Sequence, residues 1–192
     1  LTSYTGYSGT HKVETNKEIV GFQVTGWTCA TGYTGTAAAV ACTTHNTKYS
    51  LSGCSLSTCQ SITSYTGYSG TNKVETNKNI LGFSVTGWTC ASGYAGTATA
   101  AACSTGGEVY TLSGCDGCIT GKYQDLNGQS SCKDDCSAGS YITLDKTSCS
   151  LCAEGKYQDG NDQSSCKDDC AAGSYITSDK TSCTSCNKGQ YQ

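Results

Sequence analysis

The sequence predicts an all-β protein, an elongated tandem array of small disulfide-stapled modules. Three observations carry that expectation. Sixteen of the 192 residues are Cys, a density at which a chain is read as a disulfide scaffold rather than as a set of buried thiols. The chain overlays on itself at two different spacings, the mark of repeated modules. Twenty-four Gly and no sustained 3.6-residue apolar period argue against helices.

Composition sets the scale and the compartment. Two Trp, two Phe and no Met are too few large apolar side chains for one core of this length, so several small modules are expected. Disulfides persist in oxidising compartments, which predicts an extracellular or cell-surface protein. A net charge of −3 with 14% charged residues leaves no basic face for phosphates, so nucleic acid is not an expected partner. No run of 18 apolar residues occurs, so no membrane span is expected. Leu1-Thr2-Ser3-Tyr4 lacks the basic and apolar regions of a signal peptide, which reads as a processed protein or a fragment of a longer one.

A shift of 61 residues lays Leu1 to Cys54 over Ile62 to Cys115 without a gap, with 39 of 54 positions identical. Within this first module type, Val20, Phe22 and Val24 alternate through Ile19 to Cys29 before one irregular step to Trp27, the period of a half-buried strand. Gly32-Tyr33 and Gly93-Tyr94 follow as turns. The Ala and Thr runs Thr36 to Ala41 and Thr97 to Ala102 then read as a further strand of small residues.

A shift of 34 lays Cys118 to Leu151 over Cys152 to Ser185 with 26 of 34 identical. Inside it, the phrase C-x-x-G-x-Y opens at Cys118, Cys136, Cys152, Cys170 and Cys186, giving a unit of about 17 residues. Each complete unit closes 13 or 14 residues after its first cysteine, at Cys132, Cys149, Cys166 or Cys183, with turn chemistry such as Asn127-Gly128 and Asp145-Lys146 between. So small a unit cannot bury a core. A disulfide closing about 15 residues, worth about 3 kcal/mol in the chain-entropy account, must supply much of its stability. The expected modules are residues 1–58 and 59–117 of the first type, 118–151 and 152–185 of the second, and 186–192 as the start of a further copy.

Several residue sets invite a chemical reading. Cys115 with Cys118, Cys149 with Cys152 and Cys183 with Cys186 are C-x-x-C pairs, and two such pairs would make a Cys₄ zinc site. Their spacing is wide for a zinc knuckle, so disulfides are preferred and no metal or cofactor is expected. His11 and His45 are replaced by Asn72 and Gly106 in the other copy, so neither anchors a chemistry common to both modules. Asp134-Asp135 and Asp159-Gly160-Asn161-Asp162 are oxygen-rich but lack the spacing and closing Glu of a calcium loop, and read as solvated turns. The tyrosines of C-x-x-G-x-Y are read as rings covering the disulfides rather than as a stacking platform. Ser and Thr number 54 and no N-x-S/T sequon occurs, so O-glycans are the expected sugars, with Thr34, Thr36, Thr97 and Thr99 as candidate acceptors.

Cys59, Cys90, Cys103 and Cys115, with Gly93-Tyr94 and Leu112-Ser113-Gly114, resemble a sushi (complement control protein) module. That resemblance implies pairing of the first cysteine with the third and the second with the fourth: Cys59 with Cys103, and Cys90 with Cys115. By the 61-residue shift it implies Cys29 with Cys54, and leaves Cys42 unpaired within the segment, its partner falling three places before Leu1. The chain departs from that family in having no Pro and in placing Trp27 and Trp88 two residues before the second cysteine.

Residues 118–192 resemble ephrin-receptor-like cysteine repeats, in the style of tumour necrosis factor receptor modules, through Gly121-Lys122-Tyr123-Gln124-Asp125 and Gln129-Ser130-Ser131-Cys132. Successive pairing fits the phrase repeat: Cys118 with Cys132, Cys136 with Cys149, Cys152 with Cys166 and Cys170 with Cys183, leaving Cys186 unpaired within the segment.

Repeats of this wording resemble those of large surface proteins of microbial eukaryotes, flagellar-hair proteins included. The resemblance implies a structural subunit segment of an extracellular, O-glycosylated filament or surface stalk, with copies of itself as partners. The alternative expectation is a protein- or carbohydrate-binding ectodomain of a cell-surface receptor or adhesin. No Ser/His/Asp set, phosphate loop or paired acid appears, so no enzyme activity is expected.

Overall fold

The structure, a computed structural model, describes residues 4–134 and 136–190. Asp135 of the oxygen-rich pair and Tyr191 of the fifth C-x-x-G-x-Y phrase lie outside the described residues. The described residues contain sixteen strands and no helix, paired into eight two-stranded antiparallel sheets. The fold is all-β and disulfide-rich.

In the first copy, β1 (Tyr7–Ser8) pairs with β4 (Thr28–Cys29), β2 (Val13–Asn16) with β3 (Gln23–Thr25), and β5 (Tyr33–Val40) with β6 (Ser50–Leu56). The second copy repeats the scheme: β7 (Tyr68–Ser69) pairs with β10 (Thr89–Cys90), β8 (Val74–Asn77) with β9 (Ser84–Thr86), and β11 (Tyr94–Ala101) with β12 (Thr111–Gly117). The short units contribute one hairpin per pair of loops: β13 (Ser140–Ile142) with β14 (Cys149–Leu151), and β15 (Ser174–Ile176) with β16 (Cys183–Ser185). The chain clusters into two compact units. One comprises residues 1–62, 74–86 and 100–111, the other residues 63–73, 87–99 and 112–192.

The strand expected from Ile19 is shorter than its alternation suggests. The Asn16 side-chain oxygen accepts the Glu18 N–H at 2.8 Å, and Gly21 takes φ +73°, so 17–21 is a turn and β3 begins only at Gln23. Val20 is therefore 85% exposed in the turn, while Val24 is 9% exposed and packs with Trp27 and Tyr49 in the core of the first copy. The Ala and Thr runs do form strands, and their smallness suits a close crossing. A Cβ on Gly35 would stand 2.0 Å from the Gly53 carbonyl oxygen, so only glycine lets β5 and β6 meet there. Ladder pairing shifts between Gly35 and Ala38 at the same place.

Candidate functional site

Seven disulfides organise the molecule: Cys29–Cys54, Cys59–Cys103, Cys90–Cys115, Cys118–Cys132, Cys136–Cys149, Cys152–Cys166 and Cys170–Cys183. Cys42 and Cys186 carry free, half-buried thiols. Each C-x-x-C pair is split between successive modules: Cys115 and Cys118 belong to different disulfides, as do Cys149 and Cys152. Five of the six C-x-x-C sulfurs are thus bonded to carbon and sulfur and are not thiolates able to hold zinc. Among the described residues no group of three or more His, Cys, Asp or Glu is placed to hold a metal ion.

What recurs is a joint. Cys118 donates its N–H to the Gly93 carbonyl at 2.9 Å, Gly93 donates to the Gln124 carbonyl at 2.7 Å, Gly96 to the Gln129 carbonyl at 2.9 Å, and Gly128 to the Cys90 carbonyl at 2.8 Å. The Asn127 side-chain oxygen accepts the Ser92 N–H at 2.8 Å. Further along, Cys152 donates to the Gly139 carbonyl at 2.9 Å, Gly139 to Gln158 at 2.7 Å, Ile142 to Gln163 at 2.7 Å and Asp162 to Cys136 at 2.8 Å. There the Asn161 oxygen accepts the Ala138 N–H at 3.0 Å. The two joints are bond-for-bond the same, although one follows a first-type module and the other a second-type unit. The shared socket is C-x-x-G, Cys90 to Gly93 and Cys136 to Gly139, and Cys186 repeats its first bond on the Gly173 carbonyl at 2.8 Å.

Buried glutamines stiffen each inserting loop. Gln124 and Gln158 are buried, and each donates its side-chain amide to the Ser131 or Ser165 carbonyl, at 2.7 and 2.6 Å. The oxygen of each accepts a backbone N–H two residues on, from Leu126 and Gly160, both at 3.1 Å. Every polar atom of a buried amide is thereby partnered, which burial demands. Lys146 and Lys180, in the left-handed conformation at φ 57° and 60°, reach the Cys118 and Cys152 carbonyls with their ammonium groups. The sequence marked Asn127 and Lys146 only as turn residues, Asn161 only within an oxygen-rich run and Gln124 only as part of the ephrin-receptor-like wording, and the signal of their shared role was that each recurs at the 34-residue spacing.

The other candidates fall into place around this frame. Asp159 and Asp162 serve structure: Asp159 pairs with Lys167 at 2.6 Å, which holds its carboxyl below the usual range, and Asp162 donates its backbone N–H into the joint. Asp134 pairs with Lys122 at 2.6 Å. Tyr123 and Tyr157 are capped by lysines, with the Lys133 and Lys167 ammonium groups 5.9 and 5.8 Å from the ring centres. His11 and His45 are both exposed on loops. Thr34, Thr36, Thr97 and Thr99 are all exposed on strands β5 and β11, and Thr99 shares its hydroxyl with that of Ser113 at 2.8 Å.

Searches for similarity match this chain to no protein family, no curated protein and no solved structure. The class is therefore carried by the fold itself, an all-β, disulfide-rich array of small modules, and seven disulfides point to an oxidising, extracellular or secreted setting. No helix among the described residues is long and apolar enough to cross a membrane.

Proposed function

We propose that the chain is a structural segment of an extracellular filament or surface stalk, of the flagellar-hair kind, and has no catalytic role. The observation that carries this reading is the recurring joint: one set of backbone bonds connects modules of different sequence, so stability comes from neighbour-on-neighbour locking. Repeated surfaces of that sort favour contacts between copies that do not close. Copies of the chain are the partners, and O-glycans on Thr34, Thr36, Thr97 and Thr99 would decorate the exposed strand faces. The resemblances to sushi modules and ephrin-receptor-like repeats stand behind the cell-surface part of the reading.

One feature favours the second reading, a binding ectodomain. Thr63, Ser64, Tyr65, Thr66, Tyr68 and Trp88 line an open cleft of about 710 Å³, in which Tyr65 is 52% exposed and meets Tyr68 edge-on at 5.4 Å. Aromatic rings beside hydroxyls suit a sugar face. Electron microscopy of the oxidised chain at rising concentration separates the two: fibres support the filament. Dispersed particles at every concentration, with saturable binding to a glycan array, would replace it by the ectodomain.

A further inference from the structure

The two copies of the first-type module differ at one end, and the difference is a cleft. In the second copy, an extended segment from Ser57 to Gln60 runs into a turn and a loop of the module. Cys59 donates its N–H to the Lys78 carbonyl at 2.9 Å, Ile80 donates to the Ser57 carbonyl at 2.8 Å, and Gly107 donates to the Thr58 carbonyl at 2.9 Å. Cys59 is disulfide-bonded to Cys103. Leu81 closes over Gly32, where an added Cβ would stand 2.4 Å from the leucine Cγ, so the glycine acts as a hole for it.

The 61-residue shift carries Lys78, Ile80, Leu81, Cys103 and Gly107 onto Lys17, Ile19, Val20, Cys42 and Asn46. In the first copy these residues line an open cleft of about 500 Å³ instead of holding a segment. The Cys42 thiol is free, Val20 is 85% exposed, and the N–H groups of Ile19 and Asn46 have no partner among the described residues. A free cysteine, two unfilled donors and an exposed apolar knob thus occupy the positions that hold Ser57 to Cys59 and fill the space over Gly32 in the other copy.

We propose that this cleft is a docking site for the exit edge of another first-type module, one that these 192 residues do not contain. The occupant is an extended segment of the wording Leu-x-Thr-Cys-Gln, its cysteine forming a disulfide with Cys42 and its C-x-x-G glycine receiving Val20. A second copy of the chain does not supply it. One exit edge of the chain, Gly32 with Cys59, is taken by Leu81 and Cys103; the other carries Cys118 at the position of Ser57, already bonded to Cys132.

Specificity is written into the lining. His45-Asn46-Thr47-Lys48 against Gly106-Gly107-Glu108-Val109 is the longest run of differences between the copies. A Cβ on Gly106 would lie 3.0 Å from the Ser57 Cβ. His45 therefore selects a segment with glycine at that place, Leu-Gly-Thr-Cys-Gln, over one with serine.

This inference does not depend on the filament reading, and disulfide exchange tests it on the full chain. The peptide Leu-Gly-Thr-Cys-Gln-Ser is supplied as its mixed disulfide with thionitrobenzoate. The Cys42 thiolate attacks the peptide sulfur, the old S–S bond breaks as the new one forms, and thionitrobenzoate leaves as a coloured thiolate, with no net oxidation. Cys186 in the same molecule is the reference thiol. The expected result is labelling of Cys42 at least tenfold faster by this peptide than by a scrambled one, with Cys186 reacting equally with both. Replacing His45→Gly should bring the serine peptide up to the rate of the glycine peptide. Equal rates of the matched and scrambled peptides at Cys42 would overturn the proposal, as would Cys42–Cys186 linked oligomers forming in preference to the peptide adduct.

Discussion

Gly139 donates its backbone N–H to the Gln158 carbonyl at 2.7 Å across the joint between two disulfide loops, and can do so because it has no side chain. Its φ is +86°, and a Cβ there would meet the Asp179 carbonyl oxygen at 2.6 Å. Gly173 has nearly the same φ, +85°, but nothing within 4 Å of an added Cβ. Gly173→Ala should therefore cost only the left-handed backbone penalty of about 1 kcal/mol. Gly139→Ala should cost clearly more, because backbone must move. Denaturant midpoints of the two variants check this, and equal losses would mean that the joint does not press on Gly139.

Glu14 makes a pH prediction. It accepts hydrogen bonds from the Tyr49 hydroxyl at 2.7 Å and from Lys12 at 3.2 Å, and these hold its carboxyl at about 2, down from 4.5. A carboxyl depressed in the folded state stabilises the fold above its unfolded value and loses that contribution as pH falls through the folded one. Stability of the first copy should therefore fall between about pH 4.5 and pH 2. Glu14→Gln should flatten that part of the profile. Thermal melts across this range, followed by Trp27 fluorescence in a Trp88→Phe background, report it.

Removing the Cys118–Cys132 bridge by a double Ser substitution should cost about 3 kcal/mol, the value for releasing a loop of this length. Urea unfolding measures it. Non-reducing peptide mapping should recover Cys118 with Cys132 and Cys90 with Cys115. A Cys118–Cys136 peptide would mean that the short units are not single-disulfide loops.

Val20 and Val24 should behave as opposites although both belong to one alternating run. Val24→Ala removes packing against Trp27 and Tyr49 and should cost about 2 kcal/mol. Val20→Ala, at an exposed turn position, should stay within about 0.5 kcal/mol. A pair of chemical denaturation curves decides it.

Residue pattern alone was enough for the class of fold. Abundant cysteine, glycine-rich turns and period-2 alternation have few solutions other than short strands held by disulfides, and the described residues are all-β. The Ala and Thr runs were legible as strands for the same reason, and Gly35 and Gly53 show why their residues are small. The start of β3 was not legible, because an Asn16 side chain bonding the Glu18 N–H outweighs apolar alternation over a few residues.

The joint was hidden for a different reason. Backbone groups make most of it, and backbone is the same in every sequence, so its signature was a C-x-x-G shared by two module types, together with Gln, Asn and Lys recurring at the 34-residue spacing. Which carbonyl each glycine N–H meets is decided by chain packing over tens of residues, and so is the contrast between the filled groove at Cys103 and the open cleft at Cys42. Local chemistry predicted short strands held by disulfides; only the tertiary structure, which brings distant backbone groups within hydrogen-bond reach, decided how one module grips the next.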